Sequence, residues 1–157
     1  MKNLSRVFAI ISVALNFTSL LIVTVVILAQ NLVLHIVNVP VRTHDFVFPA
    51  SPLCSVCLTL ILSVLVLIVS FTAKEKYWPE IVLVCVMLVG FMVSFSFLDT
   101  LQSADYSRFG SELLVKFTTL STYAAFGSYL SGISRLLMFL TCGISIGRKS
   151  ALKKINS

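Results

Sequence analysis

The sequence predicts an all-α polytopic membrane protein, a bundle of four transmembrane helices with the N- and C-termini in the cytoplasm. Three observations predict it. Charged residues are confined to short stretches: none lies between Arg6 and Arg42, Asp45 and Lys74, or Glu80 and Asp99, and only Arg135 lies between Lys116 and Arg148. Each interval has room for the roughly 20 apolar residues that a helix needs to cross the hydrocarbon core. Composition agrees: of 157 residues, 58% are hydrophobic and 11% charged, with a mean hydropathy of +1.03. A soluble domain carries about 25% charged residues. The apolar runs are also continuous, about twice the length of the ~10-residue alternating segments of a membrane β-barrel, so helices are expected.

The first span is placed at Val7 to Gln30. Its run of over ~20 apolar residues exceeds a signal-peptide core of about 7–15, and Ile27 is too bulky for the position two before a cut at Ala29, so a retained helix is expected. A loop with Pro40, Pro49 and Pro52 follows; its Val-rich part, Leu32 to Phe48, is read as extended or interfacial. The second span is placed at Leu53 to Ala73 and the third at Glu80 to Leu98. The turn between them is short, so they form an antiparallel hairpin, with Tyr77 and Trp78 suited to the headgroup layer and Pro79 to a helix start. Asp99 to Ser121 is read as a polar outer loop, and Thr122 to Ile146 as the fourth span. These elements use nearly the whole chain, so one membrane domain covers residues 1–157. A three-span chain is the alternative, but it would leave the densest basic cluster on the wrong side.

Basic residues set the orientation. Lys2, Arg6, Lys74, Lys76, Arg148, Lys149, Lys153 and Lys154 fall on one side of a four-span chain, and Arg42, Arg108 and Lys116 on the other. The positive-inside rule places the larger group in the cytoplasm. There Arg148, Lys149, Lys153 and Lys154 are expected against anionic lipid, at about 1 kcal/mol per residue. The same residues also serve as a topology signal. With the charge placed this way, a net charge of +6 does not point to nucleic acid.

Lipid gives helices no hydrophobic drive to associate, so small residues and hydrogen bonds must supply it. Ser12, Asn16 and Ser19 share a face of the first span; Thr59, Ser63 and Ser70 share one of the second; Gly90 and Ser94 make a small pair in the third. In the fourth, Ser121, Ala125, Ser128, Gly132 and Arg135 line one face. An isolated intramembrane Arg costs at least about 2.5–3.5 kcal/mol and needs partners. Arg135 is therefore expected to face the bundle and join Asn16 and Asp99 in a polar hub, which can be structural or can meet a partner subunit or a lipid headgroup.

Catalytic signatures are scarce. The sequence has no HExxH, GxSxG or phosphate-binding glycine loop, and no pair of intramembrane carboxylates. No catalytic residue, cofactor or metal ligand is assigned. Cys54 and Cys57 form a CxxC, but His35 and His44 lack the close spacing of a zinc site; small core residues or a redox-sensitive pair are the readings. Cys85 and Cys142, near the cytoplasmic ends of their spans, are candidate lipidation sites, with core packing as the alternative. The Lys153-Lys154-Ile155-Asn156-Ser157 tail is one residue out of register for a dilysine retrieval signal.

Arg6 before the first span, Asn16 within it, Trp78-Pro79 opening the third span and Asp99 closing it form a pattern. So does Tyr123-Ala124-Ala125-Phe126-Gly127 in a fourth helix that ends in a basic tail. The pattern resembles the MARVEL-type four-span proteins, small fungal members in particular. The resemblance implies membrane organisation or trafficking: domain assembly, vesicle-linked sorting or scaffolding of other membrane proteins. Claudin-like proteins fit worse, because the first outer loop is short and lacks their Trp and Cys signature. A non-enzymatic organiser in the plasma membrane or endomembrane system, able to form a homo-oligomer or bind other membrane proteins, is expected. The alternative is a small accessory subunit of a larger membrane complex, such as a transporter or lipid-modifying enzyme.

Overall fold

The computed structural model describes residues 2–36, 51–72, 78–102 and 111–155, with most of their side chains. They form four α-helices: α1 (Lys2–Ile36), α2 (Ser51–Thr72), α3 (Trp78–Gln102) and α4 (Ser111–Ile155). Among the described residues there is no strand, and the protein is an all-α membrane bundle. Runs long and apolar enough to cross a membrane lie at Asn3–Ala29, Ser55–Thr72 and Thr122–Lys153; α3 contributes a shorter apolar run, Trp78–Gly90.

Three helices outrun their predicted spans, α1 and α4 by the most; α3 runs past Leu98 to Gln102. α1 has 35 residues and α4 has 45, about 52 and 67 Å at 1.5 Å per residue, against a hydrocarbon core of about 30 Å. Leu32–Ile36, the start of the segment read as extended or interfacial, is helical, and so are Asp99–Gln102 and Ser111–Ser121 of the segment read as loop. Polar composition marks where hydrocarbon stops, not where a helix stops. Beyond the bilayer the backbone can keep its own hydrogen bonds, and Glu112 and Lys116 stand at the helix-supporting i, i+4 spacing.

The chain runs up, down, up, down. α1 and α4 share the most extensive interface, α2 packs on α1, α3 and α4, and α1 and α3 take the long diagonal. Contacts between α1 and α4 descend in antiparallel register: Ser12 meets Ser134, and Ser19 meets Gly127. The two termini therefore lie at the same end of the bundle. Arg6 of α1 also stands 4.6 Å over the Phe71 ring at the end of α2, a cation–π contact of about 0.5–2 kcal/mol.

Buried positions recur every three and four residues. In α1 they are Ser5, Ala9, Ser12, Asn16, Ser19, Val23 and Val26; in α4 they include Ala124, Gly127, Ser131, Ser134, Met138 and Cys142. That 3.5-residue period is the seam of a left-handed helix pair. Small residues at the seam let the backbones approach, while Leu21, Val25, Phe126 and Tyr129 point outward. One apolar cluster joins Ala9, Leu62, Val66, Leu83, Met87, Met138 and Cys142 across all four helices.

The predicted face of α4 is off by one residue. Ala125 is exposed, Ser128 and Gly132 are half-buried, and a Cβ on Gly132 would meet nothing within 4 Å. The buried stripe is instead Ala124, Gly127, Ser131 and Ser134. One residue is about 100° of rotation. The orientation is set by α1, because the serines of that helix bond to Gly127 and Ser134.

Candidate functional site

Two polar groups occupy the bundle interior. The first is at its centre. Ser12 and Ser134 meet across the seam: their hydroxyls lie 2.7 Å apart, and each hydroxyl is also within hydrogen-bond distance of the other's backbone carbonyl, at 3.2 and 2.9 Å, so their two protons are shared among these acceptors. Asn16 sits one turn further along α1, with its amide donating to Ser134 Oγ at 2.7 Å and to the Thr59 carbonyl at 3.3 Å. One side chain thus ties α1 to both α4 and α2. Ser19 Oγ adds a 2.7 Å bond to the Gly127 carbonyl.

Arg135 lies at the edge of this network. Its guanidinium donates to Ser55 Oγ at 3.2 Å and Thr59 Oγ1 at 3.1 Å. Thr59 therefore links the two predicted hub members: its hydroxyl receives Arg135 and its carbonyl receives Asn16. Ser55 and Thr59, at i, i+4, offer two hydroxyls on one face of α2. The spacing was the available signal for Ser55, while Ser134 was hidden by the rotation of α4. The Asp99 and Ser94 side chains lie outside the described residues, as do those of Ser121, Cys54 and Lys154. Gly90 is half-buried against Leu58 and Leu62, which a Cβ would meet at 3.7 and 3.4 Å. Between α2, α3 and α4 a cleft of about 10 Å³ is lined by Thr59, Arg135, Met87, Gly90 and Met138 among others, room for about one water molecule.

The second group is near the termini. Glu80 occupies the first turn of α3, where a carboxylate suits the helix dipole. It is 2% exposed and forms an ion pair with Lys149 of α4, itself 5% exposed. Ser145 donates to the same Glu80 oxygen at 2.8 Å. Lys149, expected against lipid with the rest of the basic tail, is therefore turned into the protein, while Lys153 is exposed. Sequence reading passed over Glu80 because it sits at the predicted membrane boundary, where a carboxylate needs no explanation. Trp78, two residues before it, is 67% exposed and suits the headgroup layer.

The cysteines divide. Cys142 is buried in the apolar cluster, which is core packing rather than an accessible lipidation site, whereas Cys85 is exposed on α3. Cys57 is a half-buried free thiol. Among the described residues, no three His, Cys, Asp or Glu side chains come together as a metal site.

Because Asn16 joins three helices, Asn16→Leu is expected to lower stability by about 1–2 kcal/mol, the sum of two intramembrane hydrogen bonds. SDS-driven unfolding from mixed micelles measures it. A loss under about 0.3 kcal/mol would remove Asn16 from the hub. Comparison with known protein-family models, curated proteins and solved structures finds no match.

Proposed function

We propose that this chain is a non-enzymatic integral membrane protein that organises a membrane domain or membrane traffic through lateral association, with both termini cytoplasmic. The observation that carries the reading is how its surfaces are divided. Ser12, Ser19, Ser63, Ser131, Ser134, Asn16 and Glu80 are buried within the chain, and large apolar side chains face outward. Among the latter, α4 presents Gly143 and Gly147, both exposed, with nothing within 4 Å of a Cβ added to either. Glycines four apart on a lipid-facing helix let a second helix approach closely. The occupant we assign to that face is a second copy of this chain. The resemblance to MARVEL-type proteins agrees with this reading. At the cytoplasmic face Arg148, Lys153 and Lys154 meet anionic lipid, and Cys85 remains the accessible candidate for acylation. The plasma membrane and the endomembrane system both suit such a protein.

Mass measurement after purification in mild detergent tests the reading. A self-oligomer is expected, and Gly143→Leu/Gly147→Leu is expected to weaken it at least about tenfold, or about 1.4 kcal/mol. A monomer unaffected by the substitutions would defeat it. One observation favours a second reading: the lateral cleft carries Arg135 on its wall. An accessory subunit could use that cation toward a carboxylate of a larger complex. Co-purification of one stoichiometric foreign subunit, lost in Arg135→Leu, would select that reading instead.

A further inference from the structure

We infer that the bundle holds an internal water molecule at the centre of the α1–α4 seam, bound between Asn16 and Ser131. Both side chains are hidden, at 0% and 3% exposure, and both carry an oxygen with no hydrogen-bond partner: Asn16 Oδ1 and Ser131 Oγ. Buried polar atoms rarely stay unpaired, because each costs about 1–3 kcal/mol of desolvation.

The antiparallel register places the two atoms together. Ser12 bonds to Ser134 in one layer, and Ser19 bonds to Gly127 two layers on. Asn16 lies between Ser12 and Ser19 on α1, and Ser131 lies between Gly127 and Ser134 on α4. They share the intervening layer.

Neither atom can easily be satisfied elsewhere. A helical serine commonly donates to the carbonyl four residues back, as Ser128 does to Ala124. For Ser131 that acceptor is the Gly127 carbonyl, which already receives the Ser19 hydroxyl at 2.7 Å. For Asn16 the amide cannot be turned over. The Thr59 carbonyl only accepts, so the nitrogen must face it, and this fixes Oδ1 on the other side.

The chemistry of the pair selects its ligand. Asn16 Oδ1 needs a donor, and Ser131 Oγ can donate or accept. An anion would be repelled by Oδ1. A cation would sit one helical turn from Arg135, which already bonds to Thr59. Water both donates and accepts, carries no charge, and is the usual occupant of a buried site with two or more polar partners.

Water-edited solid-state NMR of the intact protein in phosphatidylcholine vesicles tests this, with serine and asparagine labelled. Ser12 and Ser19 are internal controls: they are as buried as Asn16 and Ser131, but their hydroxyls already have partners within the protein. The expected result is early magnetisation transfer from water to Asn16 and Ser131, at least about twofold faster than to Ser12 and Ser19. Equal rates at all four would overturn the proposal. Ser131→Ala is expected to abolish the fast transfer to Asn16. Replacing sodium by choline is expected to change nothing; loss of the signal in choline would mean that a hydrated cation is the ligand, and would also overturn it.

Discussion

Glu80→Gln is expected to lower the unfolding free energy of the bundle by about 3–5 kcal/mol, the cost of breaking a buried ion pair from one side. The argument rests on where the pair lies. Both side chains are 3% exposed, so neither charge recovers hydration from water. Glutamine keeps the shape and can still accept from Ser145, but Lys149 retains its charge and loses the anion beside it. Lys149→Met leaves the converse, a buried carboxylate, and is expected to cost a similar amount. Glu80→Gln/Lys149→Met removes both charges and is expected to recover most of the loss, because a neutral pair of similar volume often equals a buried ion pair. The cycle is measured by SDS-driven unfolding, and its coupling energy is the informative number. Single variants within about 0.5 kcal/mol of the parent would place the pair in water or among headgroups. The consequence is local to α3 and the tail of α4. By its register with α1, α4 passes the start of that helix near Ser145, so Glu80 supplies a hold on the segment that continues toward the basic tail.

The architecture was legible because bilayer crossing imposes one strong requirement, about 20 uncharged residues per helix. Three intervals are free of charge and the fourth holds only Arg135, and each corresponds to one of the four helices. The face that α1 buries was legible too: Ser12, Asn16 and Ser19 line one face of the span at i, i+4, i+7, while Thr18 and Thr24 lie off it. α4 offered less. Nearly every turn carries a small or hydroxyl residue, so two stripes one residue apart look equally suitable, and periodicity cannot choose between them. The choice is made by the partner helix, through Ser19 to Gly127 and Ser12 to Ser134. The Glu80–Lys149 pair was illegible for another reason. Its members are 69 residues apart, and each has an ordinary local explanation, one as a helix-start acid and the other as part of a basic tail.

Gly127→Leu is expected to destabilise the protein by about 3 kcal/mol, a large effect for one side chain. Even a Cβ at position 127 would lie 3.1 Å from Val23 Cγ2 and 3.3 Å from Ile22 Cγ2, with the Ser19 carbonyl oxygen at 3.5 Å. A leucine must push α1 away, and the Ser19–Gly127 bond goes with it. Gly127→Ala sets two opposing effects against each other. Alanine gains about 1 kcal/mol of helix propensity, and crowding against Val23 takes back a similar amount, so the net change is expected to be small. Gly132→Leu is the contrast. Nothing lies within 4 Å of its Cβ position, so stability should hold or rise slightly. If Gly132→Leu were the damaging change and Gly127→Leu the harmless one, α4 would be turned by about 100°. The measurement therefore reaches beyond the seam. The rotation that buries Gly127 also turns Gly143 and Gly147 outward, so the stability of these two variants tests the exposed face proposed for self-association, before any oligomer is weighed.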